Sequence, residues 1–218
     1  MKIETLFNLS DLNLQEKRAL ARIVRLSIYF FILLFLVLGL WVMAKYYGIY
    51  TFLEGGIVEN LQLILLLVSS LIFLKEALHN EPYSPLLFFF ANLTTFAFIR
   101  EQDSFFEKLI PIVSWKFAWF LPLFGAWNLF RKPKNFRKIF FPFLDSSAFQ
   151  LMFIAMVVFI PFAQCIGHRS FIVDSIGTSD NMTIIRRFVE ETMELMAYTL
   201  ILLSSIEIHF ELTKKKIN

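Results

Sequence analysis

Apolar residues run along this chain in blocks of about twenty, separated by short polar or charged stretches, which is the length a helix needs to cross a bilayer. The blocks predict six transmembrane helices, at about 23–43, 58–78, 84–99, 112–130, 148–167 and 190–209. Residues 1–22 form a polar N-terminal segment in which Asn13 and Glu16 have the spacing of a capping box, opening a short interfacial helix that feeds the first span. Residues 210–218 form a basic tail. The predicted fold is an all-α integral membrane protein, a single transmembrane domain over 23–209 built as a bundle of about six helices.

Polar positions inside these blocks are spaced as stripes. In the last span Arg187, Glu190, Glu191, Glu194 and Tyr198 fall at helical intervals on one side. A carboxylate one or two turns inside the hydrocarbon costs on the order of a few kcal/mol unless it is paired, protonated, wet or metal-bound, so this side looks into the protein. Glu59, Gln62, Leu66 and Ser69 repeat the arrangement at the start of the second span. The third span is short and holds Asn92, Thr94 and Thr95, which suits a helix screened from lipid by its neighbours. Pro111 suits the first turn of the fourth span, Lys116 lies one turn inside it and Pro122 is a candidate kink. Asp145, Ser146 and Ser147 supply N-caps for the fifth span, and the residues before them, Arg131, Lys132, Lys134, Arg137 and Lys138, read as a basic loop.

Composition narrows the class. With 57% hydrophobic and 18% charged residues in 218, the chain cannot cover the surface of a soluble domain. The single Cys165 excludes an intrachain disulfide, and the first residues lack the apolar core of a cleavable signal peptide. Six spans put both termini on one side. With the termini in the cytoplasm, cytoplasmic segments carry 14 of the 21 Lys and Arg but eight of the 18 Asp and Glu, while the outer side carries six basic and ten acidic residues. That asymmetry predicts N-in and C-in, and it sends Glu59, Arg100, Glu101, Asp103, His168 and the Glu191 stripe to one outer face. One shared polar site, opening away from the cytoplasm, is the expectation that follows.

The candidate chemistry of that site is open. Glu59, Glu101, Asp103, His168, Glu191 and Glu194 could hold a hard divalent cation, Mg²⁺ or Ca²⁺ rather than Zn²⁺, because His168 is the only histidine on that side and no HExxH occurs. The same carboxylates could carry protons. Arg100, Lys116, Arg186 and Arg187 are the charge partners, and in the plainest reading they do no more than neutralise Glu and Asp to tie helix ends together. As a catalytic set, His168 would be the base with Glu101, Asp103 and Glu194 holding a metal. Cys165 beside His168 could form a thiolate nucleophile, although a single Cys at a span end is more often a small packing residue. The basic residues 131–138 set orientation and could contact anionic lipid head groups; nothing supports nucleic-acid binding. Rhomboid-type GxSG, phosphatase-type SGH, DGxxAR and P-loop motifs are absent.

The stretches FIREQDSFFEKL, followed by Trp115 and Lys116, and RRFVEETMEL resemble small polytopic bacterial inner-membrane proteins with an R-E-x-D group after one span and an R-x-x-E-E-x-x-E-L group opening the last. The resemblance covers about a fifth of the chain. It implies a bacterial inner membrane, and it implies that Arg100, Glu101, Asp103, Glu190, Glu191 and Glu194 belong together.

Three functions are compatible with these residues. The first is cation- or proton-linked binding or transport through a periplasm-facing acidic site. The second is a metal-dependent membrane enzyme acting on a lipid or lipid-linked substrate at the outer leaflet. The third is a non-catalytic subunit with a structural ion-pair network.

Overall fold

The computed structural model describes residues 13–102, 115–131, 133–166, 168, 170–171 and 182–217. Among them every regular element is helical: α1 (Leu14–Tyr47), α2 (Ile57–His79), α3 (Ser84–Glu101), α4 (Phe120–Phe130), α5 (Pro133–Leu144), α6 (Ser147–Val157) and α7 (Met182–Ile217). Short 3₁₀ segments, Gly48–Phe52 and Trp115–Trp119, precede α2 and α4, and a π-helical segment, Val158–Ile166, continues α6. Four stretches are long and apolar enough to cross a bilayer: Leu14–Phe52, Ile57–His79, Ser147–Ile166 and Met182–Thr213.

The chain divides into two units, residues 1–46 and 47–218. The first is essentially α1, one continuous helix from Leu14 in place of a separate interfacial helix and span. Its start follows from local chemistry: the Asn13 N–H donates to Glu16 Oε2 at 2.8 Å and the Glu16 N–H donates to Asn13 Oδ1 at 2.9 Å, so two orphan donors of the first turn are satisfied reciprocally.

In the second unit α2 packs along α3 and α7, α6 packs along α7, and α4 packs along α3. Hydrogen bonds fix the directions. Gln62 near the start of α2 bonds Glu191 near the start of α7, and Glu76 near the end of α2 bonds His209 near the end of α7, so these two helices run parallel. α6 runs the other way, since Ser147 at its start meets Glu211 and Ser204 donates to the Ala148 carbonyl. The apolar core lies toward the end of the bundle away from Glu191, where Phe73, Leu87, Phe90, Phe143, Met152 and Ile208 are buried together.

Three elements differ from the sequence reading. The basic stretch after residue 131 is largely helix α5, because Phe136, Ile139, Phe140 and Phe143 recur at helical spacing and Ile139 and Phe143 join the core. Pro122 is the third residue of α4, just after the 3₁₀ turn Trp115–Trp119, where the helix type changes. α7 begins at Met182 and continues through the tail to Ile217, which puts Arg186 and Arg187 on the helix itself. Ser146 caps α6 as expected, accepting from the Phe149 N–H at 3.0 Å.

Candidate functional site

A cavity of about 430 Å³ sits where the start of α2, the end of α3, the end of the π-helical segment and the start of α7 converge. Among the described residues its lining is almost wholly ionisable: Glu54, Glu59, Glu101, Glu190, Glu191 and Glu194 against Arg100, Arg186 and Arg187, with Gln164 the single neutral member.

Each helix delivers its group for a local reason. α2 opens at Gly56, preceded by Gly55 in a left-handed conformation (φ 74°) that side-chain-bearing residues rarely adopt. A Cβ on Gly56 would lie 2.6 Å from the Leu53 carbonyl oxygen and 2.8 Å from that of Tyr50, so only glycine permits this entry. The tight turn aims the Gly55 N–H at Glu59 Oε2, 2.6 Å away, and leaves Glu54 at the rim. One turn further along α2 the Gln62 side chain, fully buried, donates to both the carbonyl and Oε2 of Glu191 at 3.1 Å. Its own Oε1 has no hydrogen-bond partner among the described residues.

α3 ends at the same level with Arg100 and Glu101. Arg100 Nη2 is 2.8 Å from Glu194 Oε1 and 3.5 Å from Glu101 Oε1, and the guanidinium lies 5.3 Å from the ring centre of Phe159. Gln164 donates to Glu194 Oε1 at 2.6 Å, and the Tyr198 hydroxyl donates to Glu101 Oε1 at 2.6 Å. At the rim Arg187 pairs with Glu54 at 2.9 Å and Arg186 with Glu190 at 3.1 Å. The α7 stripe is thus divided among partners: Arg187 faces the α2 turn, Glu191 faces α2, Glu194 faces α3 and the π segment, and Tyr198 closes the set from below.

No protein-family model, curated protein or solved structure matches this chain.

Of the residues expected at a shared site, Glu59, Arg100, Glu101, Arg186, Arg187, Glu191 and Glu194 line the cavity. His168 does not; it is exposed beyond the π segment, where its Nδ1 accepts from the Ser170 N–H at 3.3 Å. Lys116 is exposed in the 3₁₀ turn before α4 and Cys165 is exposed on the π segment, both outside the lining. Asp103, Arg169 and Lys132 lie outside the described residues. Among the described residues no three His, Cys, Asp or Glu side chains are grouped as metal ligands. Two members were not assigned to the site from sequence, Glu54 and Gln164. Gln164 is neutral and sits on a helix of π pitch, where counting by 3.6 residues no longer tells which side a residue faces.

Below the site two hydroxyls reach across helices, Ser70 to Thr95 at 2.7 Å and Ser204 to the Ala148 carbonyl at 2.8 Å, and the others stay on their own helix. Ser69, Thr94, Thr95, Thr199 and Ser205 each donate to a carbonyl three or four residues back on their own helix, at 2.7 to 2.9 Å. Asn92 does the same to Phe88 at 2.7 Å. The polar lining therefore ends at Arg100, Glu101 and Tyr198.

Proposed function

We propose that this chain is a multi-pass bacterial inner-membrane protein, with six crossings and both termini in the cytoplasm, whose acidic cavity faces the periplasm and binds a cationic group. The observation that carries the reading is the unequal count of charges around one cavity among the described residues, six carboxylates to three guanidiniums. Arg186 and Arg187 are engaged by Glu190 and Glu54, and Arg100 serves both Glu194 and Glu101. Glu59 and Glu191 accept from neutral donors, a backbone N–H and the Gln62 amide. A carboxylate in this setting favours a bound cation.

The cavity's size and donor pattern favour an organic ammonium over a bare metal ion. A volume of about 430 Å³ falls in the range of small-molecule pockets, roughly 300–1,000 Å³. The carboxylates sit in separate hydrogen bonds around its wall, without the convergence that divalent ions require. Binding fits better than passage, because the cavity's lining ends at Arg100 and Glu101 and most hydroxyls deeper in the bundle bond carbonyls of their own helices. The enzyme reading gains no base from His168, which is outside the lining.

The test is calorimetric titration of methylammonium into the full-length protein in lipid nanodiscs, with the Glu191→Gln variant alongside. Saturable binding to the wild type that weakens at least tenfold in Glu191→Gln supports the reading; heats of dilution alone, or equal binding by both proteins, refute it.

A further inference from the structure

A second cavity, about 330 Å³, lies directly beneath the acidic one, and its lining is apolar apart from Thr94, Arg100 and Tyr198. Thr94 is spent on the carbonyls of Phe90 and Ala91, so the wall offers a ligand no polar group until the level of Arg100 and Tyr198. Those two residues stand between the cavities. Arg100 lines both, and the Tyr198 hydroxyl holds Glu101 in the acidic lining.

The shape follows from three helical stripes. Phe90, Leu93, Ala97 and Arg100 face the space from α3 at intervals of three or four residues. Met152, Ala155 and Phe159 face it from α6 and the π segment, and Ile201 lies one turn below Tyr198 on α7. Ala97 presents only a methyl group to the gap between α3 and α6, and Trp119, set against Phe96 with ring centres 4.6 Å apart, stands at its side. From Phe90 to Arg100 the rise along α3 is about 15 Å, half of a hydrocarbon core about 30 Å thick. The apolar cavity thus has the depth of one leaflet, with charged groups at its outer end.

We propose that the ligand of the acidic cavity is an outer-leaflet amphiphile with one aliphatic chain and an ammonium-bearing head: the chain fills the apolar cavity and the ammonium meets the surplus carboxylates beyond Arg100. This rests on the acidic cavity binding a cationic group. A volume near the lower end for ligand pockets has room for one chain and not two. The head is chosen by charge, since an anionic head would meet six carboxylates. Arg100, already flanked by Glu194 and Glu101, marks the boundary where chain ends and head begins.

The experiment is native mass spectrometry of the full-length protein released from micelles with lysophosphatidylethanolamine or with lysophosphatidylglycerol of equal chain length. The ethanolamine lipid is expected to bind at least tenfold tighter. Ala97→Leu, which fills the apolar cavity, is expected to reduce lipid binding more than tenfold while methylammonium binding persists, which also shows that the variant is folded. Equal binding of the two heads, or lipid binding unaffected by filling the apolar cavity, overturns the proposal. If methylammonium binds and the ethanolamine lipid does not, this inference alone fails; if neither binds, the acidic-site reading fails with it.

Discussion

Arg100 and Glu194, 94 residues apart in the chain, meet at 2.8 Å where the end of α3 crosses the α7 stripe, and the guanidinium also reaches Glu101 at 3.5 Å. The Glu194 side chain is 4% exposed. Removing its partner strands a charge that water cannot reach, whereas removing both members leaves an amide pair. Arg100→Gln is therefore expected to destabilise the protein by roughly 3 kcal/mol, and Arg100→Gln with Glu194→Gln to recover most of that loss. Equilibrium unfolding in mixed micelles for the complete double-mutant cycle checks this; additive losses would show that the two side chains are not coupled.

Tyr198 is a smaller test of the same junction. Its ring is fully buried, 5.7 Å from that of Phe159, and its hydroxyl is the donor to Glu101. Tyr198→Phe keeps the packing and deletes the donor, so an unfolding free energy lower by about 1–2 kcal/mol is expected. An unchanged value would mean that the hydrogen bond contributes nothing.

Gly56 is where the α2 stripe depends on backbone alone. A methyl group there meets three carbonyl oxygens at 2.6 to 3.0 Å, none able to swing aside as a side chain could. Gly56→Ala should cost about 1–3 kcal/mol and displace the turn that positions Glu54 and Glu59. Thermal unfolding together with methylammonium affinity measures both effects; a fully stable variant with wild-type affinity would contradict this account of the turn.

Much of this was legible in the chain, and the reasons differ by residue. Glu59, Arg100, Glu101, Glu191 and Glu194 announce themselves because ionisable groups at the ends of apolar runs have to turn inward. The parallel course of α2 and α7 also follows from counting spans, and the Gln62–Glu191 and Glu76–His209 bonds display it. His168 shared the right end of the bundle with the carboxylates, but residue order gives depth and not azimuth, and it lies outside the lining. α5 was hidden by its own charge: Arg137 and Lys138 drew attention to the loop reading while Phe136, Phe140 and Phe143 carried the helical period. The apolar cavity could not be foreseen, because it is a gap between α3 and α6, and gaps depend on how helices sit against each other.

Topology gives an independent prediction. Alkaline phosphatase fused after Asp103 and after Asp180 should be active in both cases, and fusions after Lys138 and Asn218 inactive, since the surplus of basic residues assigns the latter two to the cytoplasm. Opposite results at Asp103 and Asp180 would separate the ends of the helices that the acidic cavity requires to be on one side.

The central claim is that this cavity selects positive charge. It is tested most directly by equilibrium dialysis of radiolabelled methylammonium and radiolabelled acetate against the nanodisc-embedded protein at neutral pH. The account predicts about one bound methylammonium per chain, lost in Glu191→Gln, and no saturable acetate. Acetate binding that equals or exceeds methylammonium would contradict it.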